Sequence, residues 1–158
     1  MALSWVVAGG GTGGHVTVAL ALGEEIARRG DRVVFVGTEQ GLEARLVPEA
    51  GFELVTLASR QVMGRSALGR IAGIAGILGQ VGPARRVLRD HAADVVVSVG
   101  GFAAMPAAVA AVLSRRPLAL VEPNAIPGRV NRLTARFARR VFLGFEAAAQ
   151  RIGSDPAR

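Results

Sequence analysis

The chain has 158 residues with no lysine and no cysteine, so its 19 basic residues are all arginine and its formal net charge is +7 at pH 7. A hydrophobic share of 51% at this length fits one folded domain with a sizeable core, and the missing residue types exclude a catalytic lysine, a lysine-dependent phosphate loop, disulfides, thiolate chemistry and cysteine-ligated metals. The basic excess suits phosphorylated substrates or anionic lipid, whereas 4% aromatic content without tyrosine speaks against a base-stacking nucleic-acid surface.

Leu3 to Ala8 is short and has no basic leader, so it reads as a first strand, Ser4 to Val7, rather than a secretory signal, and a cytoplasmic location is expected. A glycine run follows, and helical spacing resumes at Val18 to Arg29. Val33 to Val36 is the second strand, Gly41 to Val47 a short helix, and Glu53 to Leu57 the third strand. Ser66 to His91 is helical, with a break expected near Gly82 and Pro83. Strand Val95 to Val99, helix Pro106 to Ser114, strand Leu118 to Val121, helix Arg129 to Ala138 and strand Val141 to Leu143 complete the alternation. The segment from Gly144 to Arg158 loses the strand pattern and has turn-like composition.

Apolar strands alternating with helices predict an α/β domain of doubly wound, Rossmann-like type with a parallel sheet buried on both faces. Ligands of such sheets bind beyond the carboxyl ends of the strands. Three loops are therefore the candidate sites.

The first contains Thr12, Gly13 and Gly14 and ends on His15. Gly9, Gly11 and Gly14 have the spacing of a dinucleotide fingerprint, in which amides and a helix dipole hold a diphosphate. The same glycines also make a tight turn with no ligand. Against a dinucleotide, Val36 is followed by Gly37 and Thr38 before any acid, so the usual ribose-binding carboxylate is out of place. His15 adds a group able to move a proton near neutral pH, or one that merely bonds to backbone. The second loop, Gly100, Gly101 and Phe102, offers further amides, or a bend for close helix packing. The third, Glu122 to Asn124, places a carboxylate and a carboxamide at a strand end, or forms a plain Asn-Pro turn.

Gly10 to His15, GGTGGH, resembles the first glycine loop of the bacterial MurG family. Gly37-Thr38 with Leu42 to Pro48, Asp94 to Phe102, and Glu122 with Asn124 to Gly128 match further family segments in the same order through nearly the whole chain. The chain departs from the family pattern at Val121 and Pro123, which flank Glu122 in place of His and Gln, at Thr17-Val18 and at Phe102.

The resemblance implies half of a two-domain GT-B glycosyltransferase that moves N-acetylglucosamine from UDP-N-acetylglucosamine to lipid I, forming lipid II, with no cofactor and no metal. It implies an inverting transfer with His15 as base. Thr12, Gly13 and Gly14 would hold phosphate or donor, Gly100, Gly101 and Phe102 the acceptor, and Glu122 and Asn124 the sugars. Arg158, in a segment similar to the family's Pro-Val-Arg, would reach the donor nucleotide. Residues 1–143 would form the acceptor and membrane domain and residues 144–158 the start of a linker towards a C-terminal donor-binding domain that lies outside this chain.

Peripheral attachment to the anionic inner membrane surface is expected through Ile74, Ile77 and Leu78 rimmed by Arg85 and Arg86, residues that would equally make a core helix with a solvated basic side. Two rival functions are a non-catalytic membrane-anchoring subunit of a split glycosyltransferase and a nucleotide-dependent oxidoreductase.

Overall fold

A computed structural model describes residues 2–10, 13–58 and 67–153. Six strands form one sheet: β1 (Ser4–Gly9), β2 (Arg32–Gly37), β3 (Glu53–Thr56), β4 (Val95–Gly100), β5 (Leu118–Glu122) and β6 (Arg140–Leu143). The order is β3-β2-β1-β4-β5-β6 and every neighbouring pair is parallel. The expected doubly wound α/β fold is therefore present. Helices α1 (Gly13–Arg28), α2 (Glu43–Glu49), α3 (Ala67–Asp90), α4 (Ala104–Leu113), α5 (Arg129–Thr134) and α6 (Ala149–Ile152) connect the strands or follow them, with 3₁₀ turns at Ala135–Phe137 and Glu146–Ala148.

The alternating directions of strand side chains divide the core in two. Val7, Phe35, Val97 and Val99 pack with Ala19 and Ile26 of α1 and Val47 of α2. On the other face Val6, Val34, Val96 and Leu120 pack with Val81 and Leu88 of α3, the alanines of α4 and Val130 of α5. Leu88, Leu118 and Leu120 are almost completely enclosed, each contributing about 1.5–3 kcal/mol by leaving water. Small residues are what α4 needs at its position: Ala104, Ala107, Ala108, Ala110 and Ala111 let it lie close to the sheet and to α3.

Helix bounds shift by a few residues from the sequence reading, most at α1, and α3 departs from it in continuity. Helix α1 begins at Gly13, five residues before Val18, because the glycines that weaken local helical preference are here the first turn of the helix. The break near Pro83 does not occur, and α3 runs unbroken from Ala67 to Asp90. Proline clashes with the Cβ of the residue before it and crowds the carbonyl four residues back. The first clash is relieved because the residue before Pro83 is Gly82, which has no Cβ. After β6 the short turns Glu146–Ala148 and Ala149–Ile152 pack onto the domain, with Ala148 fully enclosed and Ile152 buried in the face that holds α3 and α4.

Candidate active site

The topology reverses between β1 and β4, neighbours whose following helices leave to opposite faces of the sheet. Such a switch point opens a crevice at the carboxyl ends of the strands. The β1–β4 register slips just there, so that Gly9 stands opposite Gly100. Gly100 and Gly101 have φ of +97° and +83°, a region that favours glycine. A Cβ on Gly101 would run into the carbonyl oxygen of Gly10, so the first and second glycine loops touch. A Cβ on Gly100 would stand 3.2 Å from both His15 Nε2 and Asn131 Nδ2. His15 Nε2 is buried at this junction, and the residue as a whole is half-buried.

The third loop is organised by Glu122, which is completely buried. Its Oε1 accepts from the backbone N–H and the side-chain amide of Asn124 at 3.0 and 2.9 Å, and its Oε2 from Gly128 N–H and Asn131 Nδ2 at 2.9 and 3.0 Å. Four donors satisfy the two buried oxygens. The carboxylate thus holds the loop together from inside, and Asn124 is the member of the pair exposed at the rim.

Asn131 was not singled out in the sequence. It is fully buried on α5, donates also to the carbonyl of Val121 at 3.1 Å and accepts from Ser98 Oγ of β4 at 3.3 Å. It therefore joins β4, β5 and α5 beside Gly100. The signal was a polar residue on the helix face that points to the sheet, flanked by buried Val130 and Thr134, and it is visible only once the helix phase is known.

Of the other expected site residues, Gly13 and Gly14 open α1, Gly14 is exposed, and half-buried Phe102 stands two residues before α4. Thr12 and Arg158 lie outside the described residues, as does the side chain of Ile74. Ile77 is half-buried, Leu78 is 60% exposed, and Arg85 and Arg86 are exposed on α3. The structure does not bring these arginines to the glycine loops. Arg85 Nε donates at 3.2 Å to Ser114 Oγ, at the far end of α4 from Gly101, and a shallow groove between them is lined by Gly82, Pro83, Arg85, Arg86, Arg89 and Ser114. Among the described residues, no group of histidine or acidic side chains could hold a metal ion, and no helix is long and apolar enough to cross a membrane.

Comparison with known proteins bears on this geometry. Residues 5–143 match the family described as glycosyltransferase family 28 N-terminal domain. A relative from Alkalilimnicola ehrlichii, named UDP-N-acetylglucosamine–N-acetylmuramyl-(pentapeptide) pyrophosphoryl-undecaprenol N-acetylglucosamine transferase, is 43% identical over 155 residues, which are 98% of this chain and 43% of that protein. A protein of the same name from Acidithiobacillus ferrooxidans is 44% identical over 148 residues, 94% of this chain and 41% of its own length. The crystal structure of Acinetobacter baumannii MurG superposes with a TM-score of 0.82 at 29% identity, covering 92% of this chain and 42% of that one. A putative UDP-N-acetylglucosamine 2-epimerase from Listeria monocytogenes shares the fold, with a TM-score of 0.69 at 17% identity. This chain thus spans less than half the length of the relatives it matches. With two touching glycine loops at the switch point and the family match running from β1 through β6, the chain belongs to the glycosyltransferase family 28 N-terminal domain family, as its resemblance to MurG implied.

Proposed function

We propose that this chain is the acceptor-side and membrane-side domain of a glycosyltransferase that moves N-acetylglucosamine from UDP-N-acetylglucosamine to lipid I, forming lipid II at the cytoplasmic face of the plasma membrane. The observation that carries the reading is the contact between the two glycine loops with His15 at their junction. In this reading residues 1–143 are the working domain, residues 144–158 lead towards a donor-binding domain, and the relatives' additional length supplies that second half.

His15 takes the proton from the attacking hydroxyl of the lipid-linked sugar as the anomeric carbon is inverted and UDP departs. The backbone amides of Gly100 and Gly101 and the amino end of α1 counter the charge of the diphosphates. Glu122 holds the third loop in shape, and Asn124, exposed at the rim, meets a sugar. Arg85 and Arg86, with Leu78, rest on anionic lipid and keep the acceptor's headgroup within reach.

The test is reconstitution: the chain is combined with the C-terminal half of the Alkalilimnicola ehrlichii relative, and radiolabelled N-acetylglucosamine transfer to lipid I is followed. Transfer is expected only when both halves are present. His15→Ala is expected to lower kcat by about 100-fold or more, the usual worth of a positioned base. Unchanged turnover in that variant rejects the role of His15, and transfer without this chain rejects the assignment as a whole.

A further inference from the structure

Glu43 is only 1% exposed, a costly place for a carboxyl group unless its surroundings are built for it. Its Oε1 accepts the backbone N–H of Thr38 at 3.0 Å and the Thr38 hydroxyl at 2.8 Å. Glycines from three segments close around the same group: Gly10 after β1, Gly37 at the end of β2 and Gly41 before α2. A Cβ on any of them would overlap the Glu43 side chain. None of the three has a positive φ, so backbone conformation does not call for glycine there. Close approach to Glu43 does.

Gly10 is also the residue whose carbonyl oxygen meets Gly101. Gly10 thus meets both the Glu43 side chain and the second glycine loop. We propose that Glu43 is a positioning residue: by seating Gly10 and Thr38 around its carboxyl group, it fixes the contact between the glycine loops and so the placement of His15 beside Gly100. What His15 acts on rests on the function proposed above, but the geometric role of Glu43 does not.

The proposal is tested on the isotopically labelled chain by NMR, reading the imidazole resonances of His15 and the amides of Gly100 and Gly101, with His91, at the amino ends of the strands, as reference. Glu43→Ala is expected to move the first set and leave His91 in place. Glu43→Gln, which keeps an acceptor oxygen for Thr38 and nearly the same volume, is expected to return them at least halfway. Wild-type positions in Glu43→Ala, or equal displacement in both variants, overturn the proposal. Should Glu43→Ala fail to fold, Gly10→Ala presses a methyl group onto the same carboxyl and must move the same resonances, and the absence of any shift there has the same meaning.

Titration with farnesyl pyrophosphate, a short lipid pyrophosphate, supplies the second readout. Binding at least tenfold weaker in Glu43→Ala and largely kept in Glu43→Gln supports the role. Equal binding in all three proteins contradicts it. A wild-type chain that does not bind the probe counts against the acceptor-side function, while the NMR shifts still decide the part played by Glu43.

Discussion

Gly30 and Gly101 have nearly the same backbone angle, φ of +84° and +83°, for different reasons. Gly30 follows α1, and a Cβ there would meet nothing within 4 Å. Gly101 would in addition strike the Gly10 carbonyl. Gly30→Ala should therefore cost about 1 kcal/mol, the strain of a left-handed residue alone, and Gly101→Ala about 3 kcal/mol or more. Urea denaturation of the two variants checks this, and equal losses would mean that the glycine loops do not press on one another. At this scale the glycine runs and His15 could be read from the sequence because each sits within one short motif. Asn131 and the enclosure of Glu43 could not, since both depend on which strands become neighbours: Ser98 and Asn131 are 33 residues apart, and Gly10 and Glu43 come from opposite ends of a βαβ unit.

Among the elements, strands were the more legible. Parallel strands buried on both faces concentrate valine and leucine, and each of the six runs falls within an observed strand or extends one residue past it, as Leu57 does with its N–H donated to the Gly37 carbonyl at 2.9 Å. Helices α1 and α3 were misjudged at their glycines and proline, residues whose local preference the tertiary structure overrides. Under the proposed membrane attachment, the uninterrupted α3 would make one rigid support of Leu78, Arg85 and Arg86. Each basic residue near an anionic bilayer contributes about 1 kcal/mol. Reversing both charges, as in the double variant Arg85→Glu with Arg86→Glu, should weaken binding to phosphatidylglycerol vesicles by about 30-fold or more, and sedimentation with vesicles measures it. Unchanged binding would assign these arginines to solvent.

For the molecule as a whole, acid should loosen the fold by protonating carboxylates that are paired in it. Hydrogen bonds from Arg28 and Arg29 hold the Glu25 carboxyl down from the usual 4.5 to about 2. The Leu3 N–H and the Trp5 indole, at 2.8 and 2.9 Å, also hold Asp31 below the ordinary carboxylate range. A carboxyl with a depressed pKa in the folded state stabilises that state above its unfolded pKa and loses the contribution as pH falls through the folded value. The urea midpoint should accordingly drop between about pH 5 and pH 2, and Asp31→Asn should flatten part of that slope. Alternation of strand and helix made the fold class readable at this scale. Strand order was not readable, because it is settled by sheet twist and crossover handedness rather than by any local run.

That order has a consequence for biosynthesis. β1 lies in the middle of the sheet, yet one of its two partners is β4, whose residues emerge from the ribosome some ninety positions later, as the Ser4 to Asp94 hydrogen bond records. Until then β1, β2 and β3 can assemble only as a half-sheet with an open edge of Trp5, Val6 and Val7. Pauses in translation between residues 37 and 95 should therefore leave a sticky nascent chain and create its strongest need for a chaperone.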